Sequence, residues 1–163
     1  AQDISYIWTN EGWLYLAVVI DLYSRKVVGW SMGSRINAQL VCDALKMAIW
    51  QRQPGPGLIA HSDQGIQYAS KKYRKLLTLH KLTGSMSKKG CCWDNAVAES
   101  FFGSLKQERV HWRNYQTRFE AQQDILNYIS MWYNSHRLHS YLNYQSPNNF
   151  ETGIKDIDLR KIA

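Results

Sequence analysis

The 163-residue sequence contains no apolar run of about 18 residues, the length that a membrane-spanning helix requires. Its first residues lack the charged and apolar regions of a secretory signal peptide. It has only three cysteines, an odd number with two adjacent, which argues against a disulfide framework. These absences predict a cytoplasmic protein that makes no membrane contact.

Two further absences concern the start of the chain and a zinc site. No initiator Met is present and strand-like sequence begins almost at residue 1, so we expect a piece of a longer protein. A zinc site would have to combine Cys91 and Cys92 with His136 and His139. Neither pair has the spacing of structural zinc modules, which leaves one buried thiol and two loop thiols as the expectation.

Acidic residues are fewer than basic ones, 13 against 20, and the net charge is +7. A basic chain favours a polyanionic partner such as nucleic acid. With 45% hydrophobic residues, a chain of this length can bury one core. We expect one domain over residues 1–151, followed by a tail over 152–163.

The first third of the chain has the pattern of an antiparallel meander. Residues 3–8, 13–22 and 26–32 are rich in β-branched and aromatic residues and are separated by turn-like segments. The middle run is nearly all apolar, as expected of a strand covered on both faces. Helices should therefore flank this sheet.

Helices and strands alternate in the remainder. A helix is predicted from Asn37 to about Gln53, before Pro54-Gly55-Pro56-Gly57 ends it. Further predicted elements are a short strand at 58–60, a helix from Ser70 to about Leu82, an edge strand at 84–87, and a helix from Asn95, as its cap, to about Val110.

The last predicted helix starts at the capping-box pattern Thr117-Arg118-Phe119-Glu120. Ile125, Tyr128, Ile129 and Trp132 recur at helical spacing, which favours core packing for Trp132 over stacking on a nucleic-acid base. Three antiparallel strands followed by parallel strands, with helices on both faces, describe a ribonuclease-H-like α/β mixed sheet.

Three carboxylates stand out. Asp3 lies on the first strand, Asp63 follows the fourth, and 35 residues separate Asp63 from Glu99 on a helix. If the first and fourth strands pair in parallel, these acids can converge, and Mg²⁺ prefers such oxygen ligands. Two ions about 3.5–4 Å apart can hold the attacking and leaving oxygens of a phosphodiester. Asp21 is better explained by a turn or an ion pair near Arg25, and Asp94 by the start of a helix.

The residues around these acids resemble one known family. The chain is similar to the catalytic core of Asp-Asp-Glu insertion-sequence transposases, which are themselves similar to retroviral integrases. The resemblance extends from Asp3 to about Glu151, in the family's order. Its blocks are Asp3-Ile4-Ser5-Tyr6-Ile7, Trp13 to Asp21 with Ser24-Arg25, His61-Ser62-Asp63-Gln64-Gly65, Ser85-Met86-Ser87, Asp94 to Phe102, and Trp132-Tyr133-Asn134 with Arg137 and His139.

This resemblance implies a chemistry. Asp3, Asp63 and Glu99 would be the catalytic residues and the ligands of Mg²⁺, with Mn²⁺ as a substitute and two ions in the DNA complex. The ions would activate water for nicking and then the freed 3′-hydroxyl for strand transfer. The implied partners are DNA, as element ends and target, and further copies of the chain, at least a dimer.

Several basic residues are candidate DNA contacts. Lys106 lies seven residues after Glu99, about two helical turns along the same face, where integrases carry a DNA-contacting lysine. Integrases carry a second lysine where this chain has Gly103. Lys88 and Lys89 adjoin the catalytic helix, whereas the basic residues from Lys71 to Lys75 fit a solvated face or a phosphate contact equally well. Arg137 and His139 either fix the tail or contact DNA.

The predicted function is a metal-dependent DNA transposase core that cuts and joins strands. Two alternatives stay open: a ribonuclease-H-like nuclease that only hydrolyses, and a catalytically silent module for DNA binding or oligomerisation.

Overall fold

The computed structural model describes residues 1–87 and 95–153. A five-stranded sheet has the order β3-β2-β1-β4-β5. Its strands are β1 (Gln2–Ile7), β2 (Leu14–Ile20), β3 (Val27–Gly33), β4 (Ile59–Ser62) and β5 (Thr83–Met86). The first three strands are antiparallel, β1 pairs with β4 in parallel, and β4 pairs with β5 in parallel. The predicted meander, the parallel strands and the edge position of β5 are confirmed.

One pairing decides where the acids meet. The first residue of β1, Gln2, pairs with Ser62, the last residue of β4. Each of these residues is followed directly by a carboxylate, Asp3 and Asp63. The two strands thus bring Asp3 and Asp63, the first two predicted acids, to neighbouring positions where β1 begins and β4 ends.

Within the described ranges, the helices that accompany the sheet are α1 (Ala38–Arg52), α2 (Lys71–Leu79), α3 (Ala96–Glu108) and α4 (Arg118–Asn127). The predicted caps Asn37, Ser70 and Thr117 each accept a backbone N–H bond with the side chain. The predicted cap Asn95 does not: its Oδ1 is buried without a partner among the described residues, and its Nδ2 donates to the carbonyl oxygen of Gln2 at 3.3 Å.

The helices cover both faces of the sheet, as predicted. On one face α1 and α2 bury a cluster that includes Leu45, Tyr73 and Leu77. On the other, Phe101 and Leu105 of α3 and Ile125 of α4 pack against β1 and β2. The nearly all-apolar β2 lies between these clusters, which explains why its sequence does not alternate.

The predicted burial of Trp132 is wrong. A π-helical turn, Tyr128–Tyr133, follows α4, so the chain advances more residues per turn than the α-helical spacing assumed. Tyr133 therefore returns to the core, 3% exposed, and Trp132 turns outward, 49% exposed. The Trp132 ring stacks beside that of His136 instead, with centroids 6.5 Å apart.

Residues 134–153 pack beyond the π-helical turn, with a short 3-10 turn at Ser140–Leu142 and a helical stretch at 147–153. The tail predicted from residue 152 mostly falls outside the described residues. Across the two described ranges, no helix is both long and apolar enough to cross a membrane.

Candidate active site

Asp3 occupies the second position of β1, half-buried beside the end of β4. Its Oδ1 accepts a hydrogen bond from the Ile4 N–H at 2.7 Å. The pKa of Asp3 is raised to about 6, first because burial penalises the charged form and then because Asp63 and Glu99 repel it. The hydrogen bond from Ile4 and the charge of Lys106 lower this pKa.

Asp63 follows β4 and begins a tight loop. Its Oδ1 accepts a hydrogen bond from the Gly65 N–H at 3.0 Å, and a Cβ at Gly65 would lie 2.9 Å from that same oxygen. A larger residue at this position would therefore displace the Asp63 carboxylate. His61, two residues earlier, contacts the hydroxyls of Ser85 and Ser87 at 3.0 and 3.1 Å, which joins β4 to the edge strand.

Glu99 projects from the first turn of α3, where its side chain is exposed and the helix dipole favours a negative charge. The start of α3 is fastened to β1 by the bond from Asn95 to the Gln2 carbonyl. The Gln2 side chain is held in turn by the hydroxyl of Tyr73, which donates to Gln2 Oε1 at 2.9 Å. Gln2 thus fixes both neighbouring helices next to Asp3.

Asp3, Asp63 and Glu99 interact electrostatically, as the pKa of Asp3 records. Within residues 1–87 and 95–153, however, no group of three or more His, Cys, Asp or Glu side chains is arranged to hold a metal ion. Paired β1 and β4 bring Asp3 and Asp63 to neighbouring positions, and Glu99 of α3 is near enough to repel Asp3, so these described acids form an open arrangement rather than a closed ligand set.

Two segments that contain these acids match known families. Residues 2–92 match a family model described as the integrase core domain, and residues 99–153 match a second model with the same description. The chain belongs to the integrase core domain family. The resemblance noted from the sequence motifs is confirmed.

Relatives of this integrase core domain include transposases of insertion sequences. The chain is 53% identical over 151 residues to the transposase InsF for insertion sequence IS3A of Escherichia coli (strain K12), covering 93% of this chain and 52% of that protein. It is 50% identical over 149 residues to the transposase for insertion sequence element IS904 of Lactococcus lactis subsp. lactis (strain IL1403), covering 91% and 59%. It thus spans somewhat more than half the length of these relatives.

Solved structures show the same fold. The HTLV-2 integrase catalytic core domain in complex with magnesium has a TM-score of 0.66 at 14% identity, covering 91% of this chain and 92% of that one. The catalytic core domain of BIV integrase has a TM-score of 0.64 at 16% identity, covering 97% of each. The predicted ribonuclease-H-like class is therefore confirmed.

The predicted DNA contacts lie in different surroundings. Lys106 Nζ is 5.0 Å from the ring centroid of Tyr6 and close enough to Asp3 to lower its pKa. Arg137 donates through Nε to Glu108 Oε1 at 2.8 Å. Lys88 and Lys89 lie outside the described residues, as does Asp94. DNA contact by these four basic residues stays a prediction.

Asp21 has the structural role that the sequence favoured, with a different partner. Its Oδ1 accepts bonds from the N–H groups of Tyr23 and Ser24, and its Oδ2 lies 3.4 Å from Arg52 rather than pairing with Arg25. Arg25 instead places its guanidinium 3.9 Å from the ring centroid of Tyr141.

Glu108 is a residue whose role the sequence did not show. It accepts hydrogen bonds from Tyr128 Oη at 2.7 Å, Trp132 Nε1 at 3.1 Å and Arg137 Nε. Burial opposes ionisation, and the three donors outweigh it, so the pKa of Glu108 is lowered. Glu108 lies at the end of α3, opposite the π-helical turn, and its role as acceptor of these three hydrogen bonds follows from that position rather than from a sequence pattern.

Proposed function

We propose that this chain is the catalytic core of a DNA transposase that cuts DNA and joins strands by in-line phosphoryl transfer. The observation that supports the proposal most is that paired β1 and β4 carry Asp3 and Asp63 at neighbouring positions in an integrase core fold, with Asp63 and Glu99 both near enough to raise the pKa of Asp3. Membership of the family and the two transposase relatives support it.

The donor chemistry of these residues suits a hard divalent cation such as Mg²⁺. The pKa of Asp3 is raised first by burial and then by the two further carboxylates near it, and a bound cation would offset that repulsion. When bound, such ions lower the pKa of a water molecule and neutralise charge on the reacting phosphate. We propose that Asp3, Asp63 and Glu99 hold two ions once DNA is present, because a substrate phosphate can supply the ligands that the open arrangement lacks.

The chain supplies no covalent nucleophile in this scheme. Water attacks the phosphodiester and frees a 3′-hydroxyl, and that hydroxyl then attacks a second phosphodiester, so each step forms one P–O bond and breaks another. The protein must keep Asp3 ionised, hold Asp63 through the Gly65 loop and position the DNA backbone. Lys106, on the Glu99 helix, is placed to help in the last task.

The test is an assay with a supercoiled plasmid and a labelled oligonucleotide duplex, in Mg²⁺ and in Mn²⁺. Joined products support the proposal, and cut plasmid without joined products supports the hydrolytic nuclease. The absence of both cutting and joining supports the silent module. Asp63→Asn should abolish both reactions. Asp43→Asn, which changes a 44%-exposed carboxylate on α1, is the matched control and should keep them.

We further propose that the active assembly contains at least two copies with DNA. The HTLV-2 integrase catalytic core domain has been solved in a trimeric and a dimeric form, and a third structural neighbour is the simian T-cell lymphotropic virus intasome. Light scattering of the chain with and without a DNA duplex measures the state directly. A strictly monomeric complex that still joins DNA strands contradicts this proposal.

A further inference from the structure

A cleft of about 560 Å³ is lined on one side by Ala96, Val97 and Ser100 of the first turns of α3. It separates those turns from the segment after the π-helical turn, and Arg25 of the β2–β3 turn lines it as well. We name it the Arg25 cleft. The described residues that line it include Arg25, Ser100, Arg137, His139, Ser140 and Tyr141, and no Asp or Glu is among the described lining residues.

Arg25 gives the cleft its positive charge, and Arg137, which is paired with Glu108, adds hydrogen-bond donors. Arg25 has a left-handed backbone, with φ of 60°, and its guanidinium lies against the exposed ring of Tyr141. In the described part of the chain, no carboxylate lies within ion-pair distance of Arg25. Arg137 binds Glu108 through Nε, which leaves its two terminal nitrogens for another acceptor. Both guanidinium groups are thus held in place and can still bind an anion.

Neutral donors complete the lining. His139 Nε2 is buried and has no hydrogen-bond partner among the described residues, and its ring meets Tyr133 edge-on with centroids 4.9 Å apart. Burial lowers the pKa of His139 to about 4, so the ring is neutral near pH 7 and carries one N–H donor. Ser100 and Ser140 add exposed hydroxyls.

We infer that the Arg25 cleft binds a backbone phosphate of the DNA strand that reacts at Asp3, Asp63 and Glu99. Planar guanidinium forks match phosphate oxygens better than any other side chain, and such contacts fix the register of DNA on a protein. Ser100, which lines the cleft, follows Glu99 directly on α3, so the cleft begins one residue away from the acids of the proposed function. The inference rests on the proposed function and adds a binding subsite to it.

The cleft is tested by the salt dependence of DNA binding, measured by fluorescence anisotropy with duplexes of two unrelated sequences. Arg25→Gln should weaken binding about tenfold for both sequences, as loss of a charge-assisted hydrogen bond predicts. The slope of log K against log salt should become shallower by about 0.7–0.9, the contribution of one phosphate. Ser140→Glu, which introduces a negative charge through an exposed side chain, should also weaken binding.

Arg35→Gln is the matched control, because Arg35 is exposed and lies beyond the opposite end of β3 from Arg25. It should change affinity and slope less than Arg25→Gln does. Near-ultraviolet circular dichroism of each variant checks that the fold is kept. The inference is overturned if Arg25→Gln binds DNA with the affinity and the salt dependence of the wild type. It is also overturned if Arg25→Gln loses the binding of inorganic phosphate and still binds DNA as the wild type does.

Asp63→Asn separates this inference from the proposed function. Its DNA affinity should depend on Arg25 as in the wild type, although it neither cuts nor joins. If the wild type cuts and joins DNA but Arg25→Gln binds DNA equally well, only the inference about the cleft is contradicted. A protein whose DNA binding depends on Arg25 and which neither cuts nor joins contradicts the proposed function alone, and a protein that binds no DNA contradicts both.

Discussion

The side chain of Asn134 is paired with the backbone of Val27 by two hydrogen bonds, each 2.9 Å long. The Val27 N–H donates to Asn134 Oδ1, and Asn134 Nδ2 donates to the Val27 carbonyl. This buried pair joins the segment of Arg137 and His139 to the strand that begins just after Arg25. The side-chain amide of Asn134 therefore connects the two sides of the Arg25 cleft.

The first prediction follows from that pair. Asn134→Ala should lower the free energy of unfolding by about 2–4 kcal/mol, because two buried backbone groups of Val27 lose their partner. Urea unfolding at constant m-value measures the loss. Asn149→Ala is the matched control, since Asn149 is exposed, and it should change stability by less than about 0.5 kcal/mol. Equal stabilities of the two variants would contradict this role of Asn134.

Much of this fold could be predicted from sequence because its signals are local. The caps Asn37, Ser70 and Thr117 lie within three residues of the N–H groups that they accept from. The π-helical turn could not be predicted, because helical spacing fits Trp132 as well as Tyr133. Packing of Tyr133 against Phe101, with ring centroids 4.8 Å apart, selects between them.

The candidate site likewise has features that the sequence predicts and others that it does not. The neighbouring positions of Asp3 and Asp63 could be predicted because each lies at one end of a strand that the sequence pattern indicates. The contacts of Glu108 with Arg137 and of Arg25 with Tyr141 join residues far apart in the chain. Nothing in the composition or spacing of these residues indicates that they meet, so a folded structure was required to find them.

The second prediction concerns the contact between β3 and α1. A Cβ on Gly29 would lie 2.2 Å from the Ala44 carbonyl oxygen and 2.9 Å from Ala48. Gly29→Ala should therefore destabilise the protein by about 1–3 kcal/mol or prevent folding, as overpacking does. Gly55→Ala, which meets no atom within 4 Å, is the control and should be neutral or slightly stabilising. Thermal unfolding compares the two, and equal melting temperatures would refute the close approach.

The third prediction is a pH dependence caused by His139. Its pKa in the folded protein is lowered to about 4 from the ordinary 6.5, chiefly by burial, with Arg137 and Arg25 adding to the effect. The unfolded chain therefore binds a proton first, and stability falls as the pH falls from about 6.5 towards 4. His139→Gln should reduce this fall. Urea unfolding at pH 7.5 and 4.5 measures it, and parallel losses in wild type and variant would show that His139 does not contribute.

The fourth prediction concerns the pKa of Asp3, about 6 against an ordinary 3.8. Asp63→Asn removes one repelling charge and should lower this pKa, although burial keeps it above 3.8. The asparagine oxygen can still accept the Gly65 N–H bond, so the loop should persist. Lys106→Gln removes an attracting charge and should raise the same pKa. Carbon-13 NMR titration of the Asp3 carboxyl without metal measures both shifts, and shifts of the same sign would contradict the arrangement.

The sign of the accompanying stability change follows from linkage. Because the folded pKa of Asp3 is raised, the unfolded chain releases its proton first as the pH rises from about 3.8 to about 6. Stability is therefore lost across that window and stays reduced above it. Asp63→Asn lowers the folded pKa, so the loss should be smaller and the inactive variant more stable than the wild type at pH 7. Lys106→Gln should be less stable there, because it removes a positive charge that favours the ionised form of the half-buried Asp3.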